Sequence, residues 1–139
     1  MLTMLRCVTG SWAVAAIMVL AVAAPAAAQM GDVSIGGVWV CRLTRGIGPL
    51  SLEERVVEIE RRIVHVLSTP KYRGAGVGVT LRPTGLNTEI VVGETVIMTV
   101  TTDDAAGTSL PTREVARQWA VRLVKGMNQA LPDARFHVF

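Results

Sequence analysis

Apolar residues crowd both sides of the segment from Val38 to Leu43. Trp39, Cys41 and Leu43 fall on one side of an extended strand, and Val38, Val40 and Arg42 on the other. A strand apolar on both faces belongs in the middle of a sheet. Arg45 to Pro49 then reads as a turn. From Ser51 the spacing changes to that of a helix, opened by the capping box Ser51-Leu52-Glu53-Glu54, in which Ser51 serves the free amides and Glu54 reaches back to Ser51. Steps of about 100° per residue place Leu52, Val56, Ile59, Ile63, Val66 and Leu67 on one stripe. Arg55, Glu58, Arg61, Arg62 and His65 are expected on the watery side, with Glu58 positioned to pair with Arg62 one turn later. Val57 and Val64 fit neither stripe. They lie one heptad apart on its flank.

Thr69-Pro70 stops this helix. A Gly-rich connection, Lys71 to Gly78, leads to three predicted strands at Val77 to Arg82, Thr88 to Val92 and Thr95 to Thr101. Gly93 within Val92-Gly93-Glu94-Thr95 supplies the positive φ that a tight hairpin needs. A second helix is predicted from about Leu110-Pro111 to Leu131, burying Val115, Ala116, Trp119, Leu123, Met127 and Ala130. Its Val121 faces outward. The resulting order is β-α-β-β-β-α. Two amphipathic helices need one apolar surface to cover, so the predicted fold is α+β: a two-layer sandwich of about four mainly antiparallel strands with both helices on one face.

The first residues change the picture. Met1 to Arg6 carry one positive side chain, Trp12 to Ala24 are all apolar, and Pro25 and Ala26-Ala27-Ala28 follow. A charged start, a short apolar core and an A-x-A end describe a secretory signal peptide over 1–28, with cleavage after Ala28. A membrane span needs about 20 apolar residues, more than this core supplies, so a cleaved signal is favoured over a retained anchor. Residues 29–37 are then expected as a loose leader, 38–131 as a single domain and 132–139 as a C-terminal tail. Location is expected to be periplasmic or secreted, with membrane contact only if the first segment is kept. Cleavage removes Arg6 and lowers the net charge from +3 to +2. That mild surplus, with bases alternating with acids, gives no reason to expect nucleic acid as a partner. It also leaves Cys41 as the single cysteine, with no internal disulfide available to it.

Candidate chemistry is sparse. His65 and His137 have no companions at ligand spacing, so no metal site is expected. Cys41, between Trp39 and Leu43 on a strand, reads as a buried small hydrophobe and not as a nucleophile. Asp103-Asp104 at a strand end reads as a turn, since Ala105-Ala106-Gly107 adds no further oxygen ligand for calcium. Gly74, Gly76 and Gly78 follow a helix and lead into a strand, the reverse of a phosphate-binding loop. No nucleophile elbow is present. No catalytic residue and no cofactor are expected. The surface that invites a partner is apolar: Val57, Val64 and Val121, which would mark an interface if they were exposed and contiguous.

Gly48-Pro49-Leu50-Ser51-Leu52-Glu53-Glu54-Arg55, then Ile59-Glu60-Arg61-Arg62-Ile63, resembles the start of a periplasmic domain that precedes the pore in some bacterial small-conductance-type mechanosensitive channel proteins. Val100-Thr101-Thr102-Asp103-Asp104-Ala105, Gly107 and Val115-Ala116-Arg117-Gln118-Trp119-Ala120 are similar to that domain's last strand and helix. The likeness covers roughly residues 38 to 131. Here no pore helices follow, so the resemblance implies a freestanding version of such a module, and no functional residue carries over. The functional expectation is a non-enzymatic binding or interaction module, accessory to an envelope membrane protein. The alternative expectation is a small-ligand or lipid carrier with a cleft between sheet and helices.

Overall fold

The computed structural model describes residues 31–139. The signal segment predicted over 1–28 lies outside the described residues. The architecture is α+β, consistent with a two-layer sandwich, and its elements are β1 (Gly31–Ile35), β2 (Val38–Leu43), α1 (Leu52–Ser68), β3 (Val77–Thr84), β4 (Asn87–Val92), β5 (Thr95–Val100), a four-residue α2 (Thr102–Ala105), α3 (Thr112–Ala130) and β6 (Phe136–Val138). Strands β5-β4-β3-β6 form one sheet, antiparallel except for the β3–β6 pair. Its inward residues Val77, Val79, Ile90, Val92, Met98 and Val100 share one core with Ile59, Ile63 and Val66 of α1 and with Trp119, Leu123 and Met127 of α3. Burying each such side chain contributes about 1.5–3 kcal/mol relative to exposure.

Three expectations are corrected. The leader is not loose: residues 31–35 are β1, which pairs antiparallel with β2 in a separate two-stranded sheet. Val33 is fully buried there, and the hairpin spans α1 on its β1 side and α3 on its β2 side. Consequently β2 is not a strand of the main sheet. Its face pattern also departs from simple alternation. Val33 pairs with Cys41 and Ser34 with Trp39, which leaves Val40 as an extra, bulged residue. The bulge turns Val40 inward beside Cys41 and swings Trp39 out onto the face of Arg42.

The tail is not free either. Phe136 is buried and pairs with Val77 of β3. The Asn128 carboxamide on α3 holds its backbone from the other side, donating to Phe136 O at 2.9 Å and accepting from Phe136 N at 2.8 Å. One side-chain amide thereby copies the hydrogen bonds of a neighbouring strand.

Arg55 is the third correction. It lies on the polar side of the helical wheel, yet it is 3% exposed. Its guanidinium reaches over the outer edge of β5 to Thr99 O (2.8 Å) and grips Asp104 of α2 with both nitrogens. Arg62, one face along, donates to Val96 O at 3.2 Å. Helix α1 thus covers an edge strand whose bare carbonyls would otherwise await another chain. Smaller departures are Ala130, which is exposed, and α2, a short helix where a plain turn is expected after β5.

Candidate functional site

Helix α1 begins where its capping box dictates: Glu54 N donates to Ser51 Oγ, and Ser51 N donates to Glu54 Oε2. Glu58 is bound by both Arg61 and Arg62 at 2.8 Å, which pulls its carboxyl down from 4.5 to about 2. The apolar stripe turns toward β5 and β1, and this orientation leaves Val57 and Val64 outside, 63% and 60% exposed. Strand β1 runs alongside in the same direction as α1. Gly31 and Asp32 share a cleft with Leu52, Val56 and Val57, while Ser34 and Ile35 share the next one with Glu60, Ile63, Val64 and Leu67. The two clefts are successive parts of one seam, walled by α1 on one side and β1 on the other. Opposite β2, β1 has no strand partner among the described residues.

Val121 does not join this surface. It is 55% exposed on α3, in a shallow cleft with Glu114, Arg117, Gln118 and Arg122. The structure therefore separates the three candidate valines into a pair and a single.

A family model matches residues 32–130, from β1 through the end of α3. It is the domain of unknown function DUF8459. This chain belongs to that family. No curated protein and no solved structure matches it. The matched span begins inside β1, so the hairpin and its seam with α1 lie within the DUF8459 domain, whereas β6 follows the span.

Sequence reasoning missed the outer face of the DUF8459 hairpin. Arg42 makes a two-point contact with Asp32 (2.8 and 3.1 Å), Trp39 Nε1 donates to the same carboxylate, and Arg122 stacks on the Trp39 ring at 4.9 Å. These bonds hold the Asp32 carboxyl below the usual carboxylate range, Arg42 first and Trp39 second. The signal that could have exposed this face was Asp32 itself, an acid at the spacing of an outward strand position.

The remaining candidates are occupied or isolated. Asp104 is enclosed with Arg55, while Asp103 is exposed and 3.9 Å from Arg45. His65 and His137 are exposed, on α1 and β6, and among the described residues no three metal-ligating side chains come together. Gly76 and Gly78 line a surface cleft of about 460 Å³ with Lys71, Tyr72, Gly93 and Glu94, at the end of the main sheet and not between sheet and helices. Lys71 is bound to Glu94 across it at 2.8 Å.

Cys41 is fully buried in the DUF8459 core, and burial pushes its thiol up to about 12. A thiol held protonated this far above neutrality is a poor nucleophile. Treatment of the native protein with an aromatic disulfide reagent at pH 8 should therefore leave Cys41 unmodified until denaturant is added. Rapid labelling without denaturant would show that the hairpin opens.

Proposed function

We propose that the chain is exported and that its DUF8459 domain works in the periplasm as a non-enzymatic binding module, accessory to an envelope membrane protein. The carrying observation is the seam along α1 and β1. There two large apolar side chains, Val57 and Val64, stand in water beside a strand that has no outer neighbour among the described residues. Apolar exposure of this kind, next to an unpaired strand edge, suits a partner that contributes both side chains and backbone. Export is supported by the charged start, apolar core and A-x-A end of residues 1–28. The accessory role is supported by the resemblance to the domain that precedes mechanosensitive-channel pores.

Two measurements test this reading. Intact mass of the protein recovered from fractionated host cells should give a periplasmic species beginning at Gln29; retention of Met1 in a cytoplasmic fraction would refute export. Val57→Asp and Val64→Asp should each abolish crosslinking to the partner in the envelope fraction and leave the far-UV spectrum unchanged, because neither side chain supports the core. Crosslinking that survives both substitutions would remove the seam as the binding surface.

A further inference from the structure

We propose that the partner at the α1–β1 seam is a second copy of this chain, docked across a single two-fold axis. This rests on the binding role proposed for the seam and names its occupant. A two-fold interface requires one patch to be complementary to itself when rotated by half a turn. On α1 the midpoint between Val57 and Val64 falls between Glu60 and Arg61. Antiparallel apposition of two copies about that point sets each Val57 against the other copy's Val64, and each Glu60 against the other copy's Arg61. Glu60 is exposed and has no ion pair among the described residues, and Arg61 holds Glu58 through Nε and Nη2 only. The charges left over on this face are therefore opposite, and the rotation brings them together.

Strand β1 obeys the same axis. Its first residues lie beside Leu52 to Val57 and its last beside Glu60 to Leu67, so its centre, Val33, is level with Ile59 and Glu60, within about 1.5 Å, one residue's rise, of the axis. A rotation about that level pairs β1 with β1 antiparallel, placing Asp32 opposite Ser34 and Gly31 opposite Ile35. No like charges face each other directly. Two hairpins would become one four-stranded sheet, and the bare edge of each would be closed. Seven residues of helix span about 10 Å and five of strand about 16 Å, so both contacts fit one patch. The outer edge of β5 cannot serve in this way, because Arg55 and Arg62 already occupy its carbonyls.

The test is the mass of the full protein, purified from its host, by sedimentation equilibrium over a wide concentration range. Dimer is expected for the wild type, and monomer for Glu60→Arg, which sets like charges against Arg61. The charge swap Glu60→Arg with Arg61→Glu should restore the dimer. Geometry is read by mixing Val57→Cys copies with Val64→Cys copies under mild oxidation: the mixture should crosslink, and either variant alone should crosslink far less. A wild type that stays monomeric at every concentration would overturn the inference, as would preferential Val57→Cys self-crosslinking or failure of the charge swap to restore the dimer. If a monomer still crosslinks to another envelope protein in a Val57→Asp-sensitive way, the binding role stands and the second copy is excluded. If Val57→Asp and Val64→Asp change neither measurement, both fall.

Discussion

Replacing Asp104 by alanine is expected to lower the unfolding free energy by about 3–5 kcal/mol, the cost of stranding a buried charge. Arg55 and Asp104 have side chains 3% and 0% exposed, 2.6 Å apart. Each is also tied elsewhere. Arg55 donates to Arg45 O at 2.7 Å and Thr99 O at 2.8 Å, and Asp104 accepts from the backbone and hydroxyl of Thr101, both at 2.9 Å. No buried side-chain polar atom among the described residues lacks a partner. Removing the carboxylate leaves a guanidinium enclosed without its counter-charge. It also uncaps α2 and loosens the link between α1 and the edge of β5. Against a domain stability of about 5–15 kcal/mol, that loss is large and should appear as a lower urea midpoint. Arg55→Met alone should be comparably harmful. The pair Arg55→Met with Asp104→Leu should cost much less than the two singles added, since nothing charged is then left stranded. A loss below about 1 kcal/mol for Asp104→Ala would place the pair with ordinary surface bridges and refute its role as the clasp of α1.

Gly126→Ala is expected to destabilise the domain by about 2 kcal/mol, even though alanine is the better helix former by about 1 kcal/mol. Gly126 sits in the second turn from the end of α3, where the β1–β2 turn comes down on the helix. A Cβ there would lie 2.4 Å from Ile35 Cγ2 and 2.6 Å from Ile35 O. From the other side, a Cβ on Gly36 would lie 2.4 Å from Gly126 O. Backbone cannot step aside as a flexible side chain can, so the hairpin itself must lift. Gly107→Ala is the control: nothing lies within 4 Å of its Cβ position, and its φ is not positive, so it should be neutral or slightly stabilising, by up to about 1 kcal/mol. Equal melting curves for the wild type and Gly126→Ala would mean that the turn does not rest on α3. Because β1 rides on that turn, the same substitution should also weaken whatever binds the α1–β1 seam.

Local rules carried α1 far: the capping box at Ser51, the buried stripe of Ile59, Ile63 and Val66, and the position of Val57 and Val64 off that stripe all follow from neighbours within a few residues. The Gly93 turn and strands β3 to β5 were legible for the same reason, since antiparallel strands joined by short turns write their period and their breaks into adjacent sequence. Arg55 was misread because a helical wheel knows only which residues share a face. That a charged side chain is buried depended on Asp104, 49 residues away, waiting over the edge of β5.

The hairpin and the tail escaped for a related cause. β1 is short and Gly-bearing, and its value as a strand lies in resting on α1 and α3, at sites such as Gly126 that sequence marks only as a weak helix position. β6 is three residues long and gains its place from β3 and Asn128, a parallel pairing that no local period can announce. By itself, the sequence determined the two long helices, the three-strand meander, the α+β class and the place of Val57 and Val64 off the buried stripe of α1, because periodicity, caps and turns act over a few residues. Only the tertiary structure decided the separate β1–β2 sheet, the outward swing of Trp39, the Arg55–Asp104 clasp and the seam that brings Val57 and Val64 beside an open strand, because each arises from contacts between segments far apart in the chain.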